Sequence, residues 1–311
     1  MTQISFVTTI FNKSKFIPHV VDSIFSQKNI GKCEYIFIDD GSTDDSVEII
    51  ERCTAGTPNV KIISQKNAGP AIATNRGIAE ASSPYIKLMD GDDILQPTAV
   101  SELLEAMLSF KVGMAYSRIE PIPFVNDCFE IPDIPESNAP IQLQKNALGI
   151  FYKQAFFNPT CVLASTEIVK EAGGCDPRVF IQDYSFALRM AAKTDFVYVP
   201  KILAWAPMEV VDRVSDMGGG SQTLHDLNAA LGYFVADNPN LDPKIKSRML
   251  KRATGRSWKW AKRMQHASVF SKHYARYLGA KISPLSGITS ERILETCDAF
   301  RGQSGSGIRI P

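Results

Sequence analysis

Three carboxylates fall within four residues at the end of the run YIKLMDGDDIL (85–95): Asp90, Asp92 and Asp93, with only Gly91 among them. Like charges this close repel, so the cluster makes sense only with a divalent cation, donor hydroxyls or a helix N-terminus beside it. Pro97 opens the next helical pattern, which lets Asp93 cap that helix and leaves Asp90 and Asp92 for ligand work. A solvated turn is the plainer alternative, since Asp and Gly are ordinary turn formers. A second acidic pair, Asp39-Asp40, ends the apolar run 33–38 and enters the turn Gly41-Ser42. A further carboxylate, Asp183, follows Gln182 where a glycine-containing loop meets a helical pattern. There it can serve as a general base or as the N-cap of a helix over 184–192, or as both.

These groups can meet only if strands deliver them to one place. ISFVTTI (4–10) is an apolar, β-rich run that closes at Phe11-Asn12-Lys13. Phe16, Ile17, Val20, Val21, Ile24 and Phe25 recur on one helical face, with Ser14 placed to cap. The run 33–38 predicts a second strand, followed by a short helix carrying Val47, Ile49 and Ile50 with Thr43 or Asp44 at its start. A third strand over 60–64, a helix over 71–81, a fourth strand ending at Met89, a helix over 97–109 and a strand over 112–117 complete the alternation. Such alternation predicts a mostly parallel sheet flanked by helices with right-handed crossovers, a Rossmann-like α/β architecture. Open sheets of this class bind ligands beyond the C-terminal ends of their strands, and the ends at Asn12, Asp39 and Asp90 share that edge.

Beyond residue 118 the pattern weakens. Pro121, Pro123, Pro132, Pro135 and Pro140 argue against a long helix or a central strand over 119–140 and predict a loop beside the site. An apolar segment over 156–163, a helix over 166–172, a helix carrying Phe186, Ala187, Met190 and Ala191, and a strand over 196–199 follow. After Gly218-Gly219-Gly220 the spacing of Leu224, Leu227, Leu231 and Phe234 predicts an amphipathic helix. Residues 243–278 predict further helix, and RGQSGSGIRIP a frayed end. The expected division is 1–118, 119–215 and a helical extension over 216–311.

With 311 residues, 44% hydrophobic and 22% charged, the composition excludes disorder as the default. Six cysteines without a C-x-x-C pair predict free thiols and a cytoplasmic protein, and no apolar run approaches the ~20 residues of a spanning helix. The net charge of +1 hides a polarity: 243–290 holds 12 Lys or Arg and no acid, leaving 22 basic against 33 acidic residues elsewhere. Three readings of this segment stay open. It is a solvated helical face, or a peripheral anchor on the anionic inner face of a membrane, its aromatics interleaved with cations, or, ranked last, a nucleic-acid surface. Against the last stand the acidic remainder and the lack of any nucleic-acid module.

ISFVTTIFNKSKFI, YIFIDDGSTDDS, NAGPAIATNRGIA and YIKLMDGDDIL follow one another at workable spacing. Together they resemble the nucleotide-sugar-binding half of family 2 glycosyltransferases with the GT-A fold, of the bacterial surface-glycan type. EAGGCDPRVFIQDYSFALRMA looks like the family's acceptor-site segment GG-D followed by [ED]-D. The resemblance implies that Thr9 and Phe11 pack against the base, with a core position as the alternative for Phe11. It implies that Asp39 accepts from uracil N3–H, that Asn67 and Gly69 wrap the nucleotide, and that Asp90 bonds the ribose. Asp92, closing the D-x-D motif, would ligate Mn or Mg, and Asp183 would be the base of an inverting displacement. Asp40 is expected to be structural. The implied partners are a UDP-sugar and a glycan or lipid-linked acceptor, with no nucleic acid.

The chain departs from the family pattern in three places. Gln182 stands where Glu is usual. Thr74 stands where Ala-Arg-Asn is common, leaving open whether Arg76 substitutes. Residues 204–208 (AWAPM) lack the Tyr-Arg-x-His often found there, for which His225 is a weak replacement. A sugar nucleotidyltransferase or a dinucleotide dehydrogenase would want a glycine-rich loop where Thr8-Thr9-Ile10-Phe11-Asn12-Lys13 stands. A non-catalytic nucleotide-sugar-binding module remains open.

Overall fold

A strand covered on both faces must be apolar throughout, and β1 (Ile4–Ile10) is buried at six of its seven residues. The computed structural model, described for residues 3–133, 137–153, 157–208, 220–282 and 287–301, continues as α1 (Ile17–Phe25), β2 (Cys33–Asp39), α2 (Ser46–Thr54), β3 (Val60–Ser64), α3 (Pro70–Glu80) and β4 (Tyr85–Asp90). Then come β5 (Ile94–Leu95), α4 (Ala99–Phe110), β6 (Met114–Ile122), the hairpin β7 (Phe124–Val125) and β8 (Cys128–Phe129), β9 (Gln142–Gln144), α5 (Ala147–Phe151), β10 (Val162–Ser165), α6 (Thr166–Ala172), α7 (Gln182–Ala191) and β11 (Phe196–Pro207). The helices α8 (Ser221–Asp237), α9 (Pro243–Met264), α10 (Lys272–Ile282) and α11 (Ser290–Leu294) close the chain.

The main sheet has the order β3-β2-β1-β4-β10-β6-β11-β5, with β9 beside β11. Strands β3, β2, β1, β4, β6 and β11 run one way, and β10, β5 and β9 run against them. The expected mostly parallel α/β sheet is therefore present, with short antiparallel strands woven in. Register sets the chemistry: Asp39 lies opposite Ile10, and Thr9 opposite Asp90. The three strand ends do share one edge.

Several local expectations are corrected. Proline did not stop β6, which runs through Pro121. There β6 pairs with β11 on one side, while β10 pairs only with residues 114–116, so the side that Pro121 leaves without a donor needs none. Thr98, not Asp93, precedes α4, and Ser14 gives α1 no cap; its N–H bonds Asp44 instead. Asp44 does meet the start of α2, accepting from the Ser46 N–H at 3.1 Å. The strand expected over 196–199 continues to Pro207, with irregular register after Tyr198. On α8, His225, Asp226 and Asn228 are buried along with Leu231 and Phe234, so the helix is enclosed on most sides rather than one. The basic segment is not one helix but two, α9 and α10, separated near Gln265. Apart from Arg301, the expected frayed end lies outside the described residues, as do Gly218 and Gly219. Among the described residues no helix is long and apolar enough to cross a membrane.

Candidate active site

Asp39 and Asp40 end β2 with divided labour. Asp39 is buried and accepts from the Ser42 N–H at 3.0 Å, which closes the turn. Asp40 accepts from the Ala68 and Gly69 N–H groups at 2.9 and 2.8 Å and from Gln65 Nε2 at 2.8 Å. It is structural, as expected, and what it holds is the loop bearing Asn67 and Gly69. Gly69 has φ +93°, and a Cβ there would lie 2.7 Å from Phe180 Cε1. Thus the close approach that requires glycine is made by Phe180. Asn67 is exposed, and Thr9 is half-buried. Phe11 is 45% exposed at the exit of β1, which rules out its core alternative.

The acidic cluster separates in the same way. Asp93 is buried and accepts from Thr160 Oγ1 at 2.6 Å and Asn158 Nδ2 at 2.8 Å, on the 3-10 turn that leads into β10. Burial, with Asp92 and Asp90 adding to it, pushes its carboxyl well above the usual range. Its role is to fasten the D-x-D turn to that segment, not to cap a helix. Below the turn Lys87 is fully buried and donates to the carbonyls of Leu88 (3.0 Å) and Thr160. Burial lowers its ammonium to about 8, although Cys161, Asp93 and Asp90 pull the other way.

Asp92 meets Lys13 Nζ at 2.6 Å. Asp90 accepts from Gln182 Nε2 at 3.0 Å. Burial raises the Asp90 carboxyl to about 7; Asp92 and Asp183 add to this, while the Gln182 bond and Lys13 oppose it. Asp183 sits in the first turn of α7, where its Oδ1 accepts from the Tyr184 N–H at 2.6 Å. Burial outweighs this and the neighbouring backbone bond, lifting its carboxyl to about 6. The helix begins two residues earlier than expected, with Ile181 as the cap residue, so Asp183 is not the N-cap. A carboxylate raised to about 6 is suited to take a proton near neutral pH.

Gln182 joins the two halves. Its Oε1 accepts from Thr74 Oγ1 on α3 at 2.7 Å while its Nε2 donates to Asp90. Two departures from the family pattern, 108 residues apart, are thus direct partners. Arg76 does not substitute for an arginine at position 74; it pairs with Glu80 across the exposed face of α3. His225 is buried against Asp226 Oδ1 at 2.9 Å and Arg301 at 3.3 Å, and Asp226 in turn accepts from the Phe180 N–H at 3.1 Å. Through Asp226 it supports the Phe180 loop, and among the described residues its ring partners are Asp226 and Arg301.

No group of three or more His, Cys, Asp or Glu side chains that could hold a metal ion occurs among the described residues. That excludes an all-protein cage, not a magnesium-type site, which uses one or two carboxylates plus phosphate oxygens and water. Asp92 fits such a site: among the described residues its carboxylate has an ammonium partner in Lys13 and no bond into the core. Lys13, Lys87, Thr160 and Phe180 escaped the sequence reading. A lysine inside the apolar run of β4 was the one available signal, for Lys87.

The sheet order, with acids at the C-terminal ends of β2 and β4 and at the start of α7, defines a GT-A-type α/β fold. Residues 5–173 match the model of glycosyl transferase family 2, and the chain belongs to that family. It is 33% identical over 113 residues to an uncharacterized glycosyltransferase, YibD, of Escherichia coli K12, and 38% identical over 102 residues to a chondroitin synthase of E. coli. These stretches cover 36% and 33% of this chain but only 33% and 15% of the relatives. The chain thus matches a third or less of their length. The fold is shared more widely. S. aureus TarS 1–349, solved in complex with UDP-GlcNAc, superposes with a TM-score of 0.65 at 14% identity, over 96% of this chain and 89% of that one. A Pyrobaculum calidifontis mannosyltransferase in complex with GDP-Man and Mn2+ gives 0.56 at 14% identity, over 95% and 86%.

Proposed function

We propose that the chain transfers a glycosyl group from a nucleotide sugar, UDP-linked by preference, to an acceptor hydroxyl with inversion at the anomeric carbon. The observation that carries this reading is the junction at Gln182, which ties Asp90 of the D-x-D turn to the helix start bearing Asp183. In this reading Thr9, Phe11 and Asp39 receive the base, Asn67 and Gly69 border the nucleotide, and Asp90 accepts from the ribose. Asp92 holds Mn or Mg, which when bound neutralises charge on the diphosphate. Asp183 takes the acceptor proton as the acceptor oxygen bonds the anomeric carbon and the bond to the nucleoside diphosphate breaks. Residues 1–118 act as the donor half and 119–215 as the acceptor half, with 216–311 as a brace.

Similarity to bacterial polysaccharide synthases supports a glycan or lipid-linked acceptor in surface polysaccharide synthesis. The 12 cations of 243–290 support a cytoplasmic protein attached to the inner face of a membrane. UDP release from a panel of UDP-sugars with Mn2+ tests the reaction, with turnover expected for the wild type and loss in Asp183→Ala. Metal-dependent nucleotide binding without turnover on any acceptor would instead favour a binding module.

A further inference from the structure

Helices α9 and α10 fold back on each other, Trp258 against Tyr274 at 4.9 Å between ring centroids and Ser257 Oγ against His273 Nδ1 at 3.3 Å. Between them lies a cavity of about 410 Å³ lined by Gly255, Trp258, Lys259, Lys262, Arg263 and Tyr277. Gly255 is helical, and a Cβ there would meet nothing within 4 Å, so the cavity reaches the helix backbone. Lys281 lies 4.5 Å over the ring of Tyr277, one of the cavity's walls.

Two cations of α10 are paired within the protein, whereas those that line the cavity are not. Lys272 and Arg276 are neutralised by Asp298, and Arg276 also by Glu295. Lys259, Lys262 and Arg263 form no ion pair among the described residues, although like charges one turn apart repel. The C-terminal dipole of α9 favours Lys262 and Arg263, yet it explains neither Lys259 nor the two aromatic walls. Apolar residues lie open at both ends of α10: Phe270 is 95% exposed just before its first turn, and Ile282 is 85% exposed at its last residue. A largely apolar, ring-walled cavity bordered by three cations suits a ligand with a phosphate at one end and apolar or ring substance at the other.

We propose that this cavity binds a phosphate ester. Two sources share that chemistry, the headgroup of an anionic phospholipid and a soluble phosphate ester. The first deepens the membrane reading given above by assigning it one seat. Neither depends on donor chemistry at Asp90, Asp92 and Asp183.

The test uses the full chain. Binding to phosphatidylglycerol–phosphatidylcholine vesicles is compared with binding to phosphatidylcholine alone, and glycerol phosphate is titrated while tryptophan emission is followed. Gly255→Leu fills the cavity with a better helix former, so the fold should hold, checked by circular dichroism and retained UDP release. Lys259→Ala with Lys262→Ala removes two pocket charges, and Lys244→Ala with Arg248→Ala removes two exposed charges elsewhere on α9. For a lipid headgroup, anionic vesicles bind the wild type, and Gly255→Leu weakens that binding about tenfold or more. Each pocket lysine should then cost more than the roughly fivefold that any cation near an anionic surface contributes. For a soluble ester, glycerol phosphate changes the emission and Gly255→Leu abolishes the change, with no preference for anionic vesicles. The proposal is overturned if Gly255→Leu alters neither readout, or if losing Lys244 and Arg248 weakens binding as much as losing Lys259 and Lys262. In either case UDP release, measured separately, still decides the glycosyl-transfer reading.

Discussion

At Asp183 burial and reactivity oppose each other. Its carboxyl is raised to about 6, so the protonated form is favoured in the folded chain relative to the unfolded. The stabilising protonated state is fully present below the ordinary value of 3.8 and is lost as pH rises through about 6. UDP release should therefore rise with pH through about 6. Asp183→Asn keeps the acceptor for the Tyr184 N–H, so it should melt higher than wild type at pH 7.5, with the difference vanishing below pH 4. The same variant should lose about 100-fold or more in turnover. Gln182 offers a second test. A glutamate there would set a second carboxylate about 3 Å from Asp90, whose carboxyl is already raised by burial and by Asp92. Gln182→Glu should lower kcat/KM about tenfold, a loss of ~1.4 kcal/mol in transition-state stabilisation. Adding Thr74→Arg, which returns a cation to the partner position, should recover most of it; no recovery would mean the two side chains act independently.

Among the elements, the loop between α6 and α7 is held from three sides. Arg178 grips Asp176 through Nε and Nη2 at 2.8 and 2.7 Å, reaches Asp237 of α8, and stacks 4.3 Å over Tyr233. Asp226 takes the Phe180 N–H, and Phe180 closes on Gly69. Gly69→Ala adds a methyl where φ is +93° and an aromatic ring already sits, so it should cut activity while circular dichroism stays near wild type. At the opposite edge of the sheet, buried Glu34 receives Ser5 Oγ at 2.5 Å, the Ser82 N–H at 2.7 Å and the Ser83 N–H at 3.0 Å. Burial works against its charge, but these bonds win and hold it below the usual glutamate value. Its contribution is present above pH 4.5 and lost as pH falls through the lower folded value. Glu34→Ala should cost about 2–3 kcal/mol in denaturant melts at pH 7, leaving several buried donors without a partner.

For the whole molecule, legibility followed sequence distance. Strands β1, β2 and β4 were readable because parallel strands covered on both faces are largely continuous apolar runs, each ended by a polar turn. The short β5, β9 and β10 have no such signature; they are strands only because β11, β4 and β6 pair with them. The same limit applied at the site. Asp90, Asp92 and Asp183 were visible as residue types, whereas the Thr74–Gln182–Asp90 bridge and the Asp93–Thr160 bond join residues 67 to 108 positions apart. Pattern along the chain carries no information about contacts of that kind. Within the basic segment 243–290, Arg256 proved to be an internal support, donating to the Lys153 carbonyl and to Asn228.

The position of β10 also bears on how the protein is made. The strand that seals one side of β4 is translated some 70 residues after it, following β6 on its other flank. Until the ribosome has passed Ser165, the nascent half-sheet presents β4 as an open edge, its amides and carbonyls free to recruit another chain. A truncation at residue 118 should therefore aggregate on expression even though it holds every donor-side acid, and a chaperone-binding window should open at β4 and shut once β10 docks.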